Sequence, residues 1–364
     1  MSFIYGAAGR VYLATDLGLM CDGVTDDTAA FQSIPSAVPD GSTIVFPATR
    51  TVVTAGMSYS NKSLRFVGSG LGTEIALRGS NQVLFNLSLS DVLYTFGLES
   101  MMLLTNGSGN YAVNISRPST ASNIYTGPYF TDLVFRGEHP ILDAWSCCIQ
   151  LANCYNFRIN RCHATGNQSY SMNFLNLAEH STDGTVADCR VAMADYGIRT
   201  VAGGISEGII VYGNKFVGVR HGIVLEDGNQ APGAQIFNNH INAFNTGIKA
   251  INRPQLQITC NLIYKYNSAD FYGLWIEGGC ASSLIQGNTV VGFSPTYSGT
   301  AVGLVIATTP NFMILDNIFE NCAVGMDGIN SSSGLDDRNT FINCASPRQS
   351  FNAPGHVSGT MYLR

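Results

Sequence analysis

The most regular hydrophobic pattern of the chain runs through residues 185–345, where short apolar segments recur between asparagine and glycine residues. Each copy contains an asparagine, any residue and an apolar residue, and in the first five copies a β-branched residue precedes the asparagine by three positions. The repeated asparagines are Asn214, Asn239, Asn261, Asn288, Asn317 and Asn339, with steps of 25, 22, 27, 29 and 22 residues between them. A period of this length, built from short β-branched segments, predicts stacked coils of β-strand.

A glycine followed by an aliphatic residue marks the second half of each copy. These glycines are Gly197, Gly222, Gly247, Gly273, Gly303 and Gly325. The glycine follows the asparagine by 8 residues in most copies, by 12 after Asn261 and by 15 after Asn288. We expect the longer arms to project as loops from one edge of the stack. We also expect asparagine and glycine at two corners of each coil, since both residues tolerate a left-handed backbone.

One copy is too short to bury its own apolar face, so it must stack on its neighbours, about 4.8 Å above the previous coil. We therefore predict an all-β fold in which residues 16–345 form one right-handed single-stranded parallel β-helix of roughly ten to twelve coils. Residues 1–15 are a short N-terminal lead. Residues 346–364 contain two prolines and no repeat, and are predicted to form an extended C-terminal tail.

Residues 16–53 carry the sharpest local motif, DLGLMCDGVTDDTAAFQSI followed by PDGSTIVFPATRTVV. Asp22 and Gly23 indicate a turn, and Thr25 is a suitable N-cap for a short helix that ends before Pro35. Asp26 and Asp27 then occupy the first helical turn, where the helix dipole favours acidic residues. A helix at this position would cover the open end of a strand stack, so we interpret residues 16–53 as a cap and its aspartates as structural.

Composition excludes several functional classes. Only 12% of the residues are charged, compared with about 25% in typical globular proteins. The net charge of −6 and the lack of a basic cluster argue against a nucleic-acid partner. The sequence also lacks an apolar run of about 18 residues, so no membrane insertion is expected. We see no signal peptide at the N-terminus.

The ten cysteines are predicted to be free thiols of a protein folded in a reducing cytosol. Cys322 and Cys344 follow their asparagines by five residues. Earlier copies have an aromatic residue at this position: Phe244, Tyr266 and Phe293. We therefore expect the two cysteines to be stacked residues of the core. Histidine and cysteine spacings match no zinc pattern, and we predict neither a metal nor another cofactor.

Alternation along the glycine segments predicts which side chains face outward. The first and third residues after each glycine are apolar and should point inward, so the second and fourth should point outward. The polar and aromatic members of this outward set are Arg199, Glu226, Lys249, Trp275, Glu277 and Asp327. A tryptophan beside carboxylates offers the flat apolar surface and polar groups that sugar binding requires.

Glu226 and Glu277 are the candidate general acid and base of an inverting glycoside hydrolase. Both occupy the fourth position after a glycine, two coils apart, which separates their backbones by about 9.6 Å. Inverting enzymes hold the two carboxyl groups about 6.5–9.5 Å apart. Lys249 would keep one glutamate ionised. Trp275 would stack on a sugar, while Arg199 and Asp327 would bound the groove. The alternative is a solvated surface without catalytic function.

Glu179 and Asp183, beside His180, form a second candidate cluster in a predicted turn. These carboxylates could form an acid–base pair. They could equally serve only to satisfy the backbone hydrogen bonds of the turn.

The cap motif resembles the N-terminal cap of the pectate-lyase-like superfamily, as found in bacteriophage tailspike proteins, whose phrase is close to DYGAKGDGVTDDTAAIQ and GGTVYFPPGTYLV. The close match covers about the first 50 residues, and a looser resemblance in the repeats covers residues 150–345. The resemblance implies a phage tailspike that binds and depolymerises a host surface polysaccharide, either O-antigen or capsule. It further implies a homotrimer in the virion, attached through its N-terminal end to another phage tail protein after folding in the host cytoplasm.

The resemblance leaves the activity open. Polygalacturonase-type members carry carboxylate motifs that are missing here, with only Arg220-His221-Gly222 and Gly247-Ile248-Lys249 as faint similarities. Pectate lyases need a cluster of acidic calcium ligands, which the sequence lacks. The alternatives are a non-catalytic glycan-binding or structural tail protein, and a polysaccharide lyase with Lys249 or Arg199 as base.

Overall fold

The computed structural model confirms the predicted fold class, a right-handed parallel β-solenoid of about 11 turns with very little helix. The structure describes residues 10–90, 93–118, 127–201, 204–226, 231–267, 269–292, 299–329, 334–350, 356–358 and 362–363. The chain divides into two compact units, Met1–Met172 and Asn173–Arg364, each of which is described by itself.

The first unit contains a 3₁₀ turn at Ala14–Leu17, the helix α1 at Thr28–Ala37 and thirteen strands. The strands are β1 (Val11–Leu13), β2 (Ser42–Val45), β3 (Arg50–Val53), β4 (Met57–Ser60), β5 (Leu64–Val67), β6 (Glu74–Leu77), β7 (Val83–Ser88), β8 (Phe96–Thr105), β9 (Tyr111–Ser116), β10 (Tyr129–Gly137), β11 (Cys147–Ala152), β12 (Arg158–Asn160) and β13 (His163–Thr165).

The second unit consists of twenty-two described strands. They are β14 (Asn173–Ala178), β15 (Thr185–Ala187), β16 (Arg190–Ala192), β17 (Tyr196–Thr200), β18 (Ile210–Tyr212), β19 (Lys215–Glu226), β20 (Gln235–Phe237), β21 (His240–Ile251), β22 (Gln257–Thr259), β23 (Leu262–Lys265), β24 (Phe271–Glu277), β25 (Leu284–Gln286), β26 (Thr289–Val291), β27 (Ala301–Ala307), β28 (Phe312–Leu315), β29 (Ile318–Glu320), β30 (Val324–Asp327), β31 (Gly334–Asp337), β32 (Thr340–Ile342), β33 (Ser346–Gln349), β34 (His356–Ser358) and β35 (Tyr362–Leu363).

Each coil contributes one strand to each of three parallel sheets. In the second unit, one sheet runs from β14 through β17, β19, β21, β24, β27 and β30 to β33. A second runs from β15 through β18, β20, β22, β25, β28 and β31 to β34, and a third from β16 through β19, β21, β23, β26, β29 and β32 to β35. The long strands β19 and β21 bend and therefore belong to two sheets. This arrangement is the predicted single-stranded parallel β-helix.

The predicted capping helix is present, with different ends from those expected. It begins after Asp27 instead of Thr25, and Pro35 lies inside its last turn. Asp27 is buried, and its carboxylate is satisfied there by hydrogen bonds from the backbone N–H groups of Met20 (2.7 Å) and Cys21 (3.0 Å). Asp22 accepts from the backbone of Thr25 at 2.7 Å. The aspartates of the motif therefore hold the turn that precedes the helix.

The Phe31 side chain packs the helix against the interior of the first unit. Its ring lies 5.6 Å from Phe85, which continues a column of aromatic rings through Phe66, Phe96 and Phe130 at 5.1–6.0 Å between neighbouring centroids. The helix thus covers an apolar interior that would otherwise face water. This column is the core of the early coils, where the asparagine and glycine pattern is weak.

The repeated asparagines of the second unit form a continuous buried ladder. Each side-chain oxygen accepts a hydrogen bond from a backbone N–H of the previous coil, which belongs to a ladder asparagine for every member except Asn214, whose oxygen accepts from Cys189. From Asn239 onward the side-chain amide of the previous asparagine donates to the same oxygen. For Asn261 and Asn288 the backbone and side-chain distances are 3.0 and 2.9 Å. Each amide also donates to a carbonyl one coil back, as Asn288 does to Ile258 at 2.8 Å. These buried amides therefore take their hydrogen-bond partners from the protein itself.

The expected backbone conformation of the corners was wrong in one respect. The ladder asparagines do not adopt a left-handed backbone; the residue before several of them does, including Asn238 (φ 55°), Cys260 (φ 55°) and Asp316 (φ 57°). The preceding residue makes the bend, and the bend turns the asparagine side chain into the interior. The recurrent asparagine is therefore required by its amide and not by its φ angle.

The repeated glycines lie within strands instead of at corners. A Cβ atom on Gly222 would approach the carbonyl oxygen of Gly247 to 2.5 Å, and one on Gly247 would approach that of Gly273 to 2.5 Å. Any side chain at these positions would clash with the backbone of the next coil. Close approach of coils, and not a left-handed turn, is what requires glycine here.

The solenoid extends beyond the predicted bounds at both ends. Val11–Leu13, within the expected lead, pairs in parallel with β2. Ser346–Gln349, within the expected tail, forms β33 and pairs with β30. A search of the described residues finds no helix that is long and apolar enough to cross a membrane.

We predict that Asn288→Ala destabilises the fold by about 3 kcal/mol. The substitution leaves the Asn261 N–H and the Ile258 carbonyl buried without their partner. Gln257→Ala is the matched control, because this exposed side chain starts a strand on the outside of the same region and should change stability by less than about 0.5 kcal/mol. Denaturant unfolding measures both, and equal losses would contradict the structural role of the ladder.

Candidate functional site

The sheet that contains the glycine segments presents one face to solvent and the other to the core. The residues predicted to face inward are fully buried, namely Ile223, Leu225, Ile248, Ala250, Leu274 and Ile276. The parallel register pairs Ile223 with Ile248 and Ile248 with Leu274. Side chains at equivalent positions therefore form straight rows across the coils on both faces.

Two outward rows contain the candidate residues. One row runs through Arg199, Val224, Lys249, Trp275, Val305 and Asp327. The other runs through Glu226, Ile251, Glu277 and Ala307. The register thus places Glu226 and Glu277 in one row with a single coil between them.

A chain of polar contacts connects the two glutamates. Lys249 forms an ion pair with Glu226. The Lys249 ammonium lies 5.5 Å from the centroid of the Trp275 ring, a cation–π geometry. The Trp275 indole N–H donates to the Glu277 carboxylate at 2.9 Å. These contacts therefore hold the Lys249 ammonium, the Trp275 ring and the two carboxylates in fixed relative positions across three successive coils.

A cleft of about 310 Å³ opens over these rows. It is lined by Tyr196, His221, Val224, Glu226, Asn245, Thr246, Lys249, Asp270, Tyr272 and Trp275. Two aromatic pairs shape its walls. His221 stacks on Tyr196 at 4.7 Å and 17° between rings, and Tyr272 meets Trp275 edge-on at 4.6 Å and 63°. The cleft therefore combines apolar ring surface with two carboxylates and one ammonium group.

Three predicted residues lie beside the cleft and do not line it. Arg199 sits over the Tyr196 ring at 4.9 Å and donates to Asn176 at 2.9 Å. Glu277 is held by Trp275, as described above. Asp327 was expected to be exposed but is 9% exposed, and its carboxylate accepts from Gln349 of β33 at 2.7 Å. The strand that covers Asp327 belongs to the segment that we predicted to be a tail.

The second predicted cluster lies apart from the cleft residues. Glu179 and Asp183 are exposed and occupy turns with left-handed backbone, at φ 52° and 53°. The Asp183 N–H donates to the Glu207 carbonyl at 2.9 Å, and the Glu179 carbonyl accepts from Ile205 at 2.8 Å. These backbone contacts hold the two turns, and the acid–base pair stays a prediction.

Sequence reasoning missed a third outward row and one loop residue. The residues directly before the repeated glycines, Tyr196, His221, Thr246 and Tyr272, form this row. Its members share no residue type, so only their fixed position relative to glycine could have identified them. Asp270 belongs to the 12-residue arm after Asn261, which was predicted to project from the stack.

Burial lowers the pKa of His221, and the nearby cations Lys249 and Arg220 lower it further, while Asp195 and Glu226 act in the opposite direction. The imidazole is therefore neutral at pH 7. A neutral imidazole can both donate and accept a hydrogen bond in the cleft.

We predict that His221 makes the protein less stable in mild acid. Its pKa in the unfolded chain is about 6.5, and the folded value is lower, so the unfolded state binds more protons between the two values. This contribution to stability is complete above about pH 6.5 and is lost as the pH falls towards the folded pKa. The pKa of His240 is also lowered, chiefly by burial, so His221→Gln should reduce the pH slope without removing it.

Urea unfolding midpoints between pH 5 and pH 8 measure this slope. His163→Gln, at an exposed position of the first unit, is the control and should leave the slope unchanged. An identical slope in the His221→Gln variant and the unaltered protein would contradict the prediction.

Comparison with solved structures shows the same fold in polysaccharide-acting enzymes and in tailspikes. The chain is similar to a family 28 exopolygalacturonase from Yersinia enterocolitica, with 10% identity, a TM-score of 0.62 and coverage of 99% of this chain and 79% of that chain. The tailspike of Pseudomonas phage phi297 has 11% identity, a TM-score of 0.60 and coverage of 95% and 77%. The mannuronan C-5 epimerase AlgE6 A-module of Azotobacter vinelandii has 14% identity, a TM-score of 0.54 and coverage of 97% and 99%.

These structural matches show a shared β-helix fold. They confirm the resemblance to tailspikes and pectate-lyase-like enzymes at the level of the fold. None of the curated proteins matches the sequence. A family model does match, over residues 140–323, and its description is periplasmic copper-binding protein (NosD).

The residues of the matched region do not fit a copper site. Copper favours sets of thiolate, thioether or imidazole ligands. Across the described residues, no three His, Cys, Asp or Glu side chains are grouped so as to hold a metal ion. Cys148 contacts the Met172 sulfur, and Cys280 donates to the Glu277 carbonyl at 3.1 Å, both within the core. No chemistry is therefore assigned to copper in this chain.

The matched region holds most of the repeated asparagines and glycines and all ten residues that line the cleft. It makes up just over half of the sequence. The chain therefore belongs to the NosD family.

Proposed function

We propose that this protein is a phage tailspike that binds a bacterial surface polysaccharide, O-antigen or capsule, and cleaves its glycosidic bonds. The cleft on the second unit carries the proposal, because it places two aromatic pairs beside the carboxylates of Glu226 and Asp270, and Glu277 lies next to it in the same row as Glu226. Polysaccharide recognition needs this combination of flat apolar surface and convergent polar groups. The names of several structures that share the fold, phage tailspikes, an exopolygalacturonase and an α-1,3-glucanase, agree with it.

In this proposal, Trp275 and Tyr272 form the surface on which a sugar ring stacks. Asn245, Thr246 and Asp270 offer hydrogen bonds to its hydroxyl groups. Arg199 bounds the groove on one side through its position over Tyr196. Asp327 bounds the groove on the other side, two coils beyond Trp275. Gln349 covers its carboxylate and donates a hydrogen bond to it.

Glu226 and Glu277 act as the base and the acid of an inverting hydrolysis. Two coil steps separate their backbones by about 9.6 Å, and a modest lean of the side chains brings the carboxyl groups within the 6.5–9.5 Å of inverting enzymes. The ion pair with Lys249 holds the Glu226 carboxylate, and the Trp275 indole holds that of Glu277. In this assignment Glu226 takes a proton from the attacking water, and Glu277 enters the reaction protonated and gives its proton to the departing glycosidic oxygen.

A glycan-binding tail protein without catalytic activity is the second candidate. The observation that favours it is that both carboxylates already have partners, Lys249 for Glu226 and the Trp275 indole for Glu277. A lyase with Lys249 or Arg199 as base is the third, and it would give an unsaturated product that absorbs ultraviolet light.

We predict that Glu277→Gln and Glu226→Gln each lower kcat for polysaccharide cleavage by about 10²–10⁴-fold, because each removes one proton-transfer group. The measurement is release of reducing ends from a panel of purified O-antigen and capsular polysaccharides, with the anomeric configuration of the first product read by NMR. Trp275→Ala should raise KM, since it removes the stacking surface, and should also lower kcat, since Glu277 loses its indole partner.

Glu179→Gln is the matched control and should cleave at the normal rate. Undiminished cleavage by Glu277→Gln would remove the assignment of Glu277. Persistent binding with no product in the unaltered protein would support the binding-only candidate, and retention of the anomeric configuration would exclude the inverting pair.

The assembly proposed with this function is a homotrimer of parallel β-helices, attached through residues 1–15 to another tail protein of the virion. On the second unit, exposed apolar side chains recur in two neighbouring sheets: Leu262, Met313, Ile318 and Leu335, each 36–43% exposed. Met313 and Leu335 are neighbours in one row. Leu262 and Ile318 share another row, two coils apart with Thr289 between them. Such a face gains most from contact with another chain.

We predict a solution mass of three times 38.9 kDa for the full chain by light scattering at micromolar concentration. The double variant Met313→Glu and Leu335→Glu should reduce the mass towards 38.9 kDa, because it would bury charge at the contact. Leu71→Glu, at an exposed position of the first unit, is the control. A monomeric mass for the unaltered chain would contradict the trimer.

A further inference from the structure

The position five residues after each ladder asparagine changes character along the second unit. After Asn239 and Asn261 it holds Phe244 and Tyr266, whose ring centroids lie 4.9 Å apart. After Asn317 and Asn339 it holds two successive cysteines, Cys322 and Cys344. One part of this row thus holds two neighbouring aromatic rings, and another part holds two neighbouring thiols.

The turns that carry the two cysteines have the same conformation and lie directly above one another. Strands β29 and β32, which precede them, pair residue by residue. Asn321 and Asn343 both have φ 52°, and the Asn343 amide donates to the Asn321 side-chain oxygen at 3.2 Å. The Ala345 N–H then donates to the Cys322 carbonyl at 3.2 Å. The pairing therefore continues through both cysteines.

This stacking meets the Cα-distance criterion for a disulfide. Paired strands place equivalent Cα atoms about 4.8 Å apart, and disulfides span about 4.4–6.8 Å between Cα atoms. Parallel, equivalent positions also send both Cβ atoms in the same direction. Bond formation would require the two Cβ atoms to approach each other slightly, to the roughly 3.5–4.5 Å found in disulfides.

The two thiols differ in exposure and acidity. Cys322 is 2% exposed, whereas Cys344 is half-buried. A hydrogen bond from Cys322 lowers the pKa of Cys344 to about 7, and the same contact together with burial raises the pKa of Cys322. Cys344 is therefore the more accessible and the more acidic of the two thiols, and Cys322 is the protected one.

We propose that Cys322 and Cys344 form a redox-active dithiol whose substrate is a small-molecule disulfide such as oxidised glutathione. The Cys344 thiolate attacks one sulfur of the glutathione disulfide, the S–S bond breaks, and one glutathione thiolate leaves. Cys322 then gives up its proton to solvent and attacks the Cys344 sulfur, which expels the second glutathione. The two protein thiols are oxidised to one disulfide, and one glutathione disulfide is reduced to two thiols.

The bond would join consecutive coils through a loop of 21 intervening residues. A disulfide of this kind restricts the unfolded chain and holds the register of the coils that contain β29 and β32. It would be open in a reducing cytosol and closed in an oxidising medium. This site is independent of the cleft and of the proposed glycan function.

The test uses the full chain with Cys260→Ser, which removes an exposed thiol that could link separate molecules. The protein is incubated with oxidised glutathione, alkylated and digested with trypsin. Arg338 lies between the two cysteines, so trypsin places them on separate peptides, residues 266–338 and 339–348. We expect these peptides to be joined, with the joined species lost on reduction.

Cys322→Ser in the same background separates this chemistry from other outcomes. Without its partner, Cys344 should keep one glutathione as a stable mixed disulfide, and oxidation should no longer raise the melting temperature. In the parent protein oxidation should raise it by at least about 4 °C. Joined peptides that persist in Cys322→Ser would implicate Cys280 instead and overturn the proposal. Complete alkylation of both cysteines after oxidation would also overturn it.

Discussion

The buried asparagine ladder is the interaction on which the rest of the second unit depends. Six side chains place both a donor and an acceptor in the interior. Within the ladder, each side-chain amide donates to the asparagine of the next coil and to a carbonyl of the previous coil. A slip of one residue in any coil would leave these amides buried without partners. A buried amide without a hydrogen-bond partner destabilises the fold far more than the loss of an apolar contact does. The ladder therefore defines a single register.

A single register has a direct consequence for the surface. Residues separated by a whole coil in sequence come to lie in straight rows, at a spacing set by the backbone hydrogen bonds. Glu226 and Glu277 are 51 positions apart in the sequence, yet the register leaves only Ile251 between them in their row. The rigidity of the stack also keeps Trp275 in contact with both Lys249 and Glu277. A site built on strands in this way needs no loop to position its charged groups.

Alternation and period predicted the fold, the inward and outward faces and the row of the two glutamates. They did not predict why the repeated residues are needed. Gly222 and Gly247 approach the next backbone so closely that no side chain fits, which is a contact between coils and is invisible within one copy. The burial of Asp327 also depends on a contact between coils, which one copy of the repeat does not reveal. Its burial depends on Gln349, in a strand whose sequence, with Pro347, showed no repeat.

The repeated asparagines and glycines and the residues that line the cleft occupy different positions in each coil. Asparagine and glycine stack inward or against the backbone, so any chain that keeps them keeps the solenoid. Tyr196, His221, Lys249 and Trp275 point outward, where stacking imposes no residue type. Family membership and chemistry can therefore vary independently on this fold. In this chain the region that matches a family described by copper contains, among the described residues, no group of three His, Cys, Asp or Glu side chains placed to hold a metal ion. The function of such a chain must be argued from its outward rows, because only those rows are free to differ.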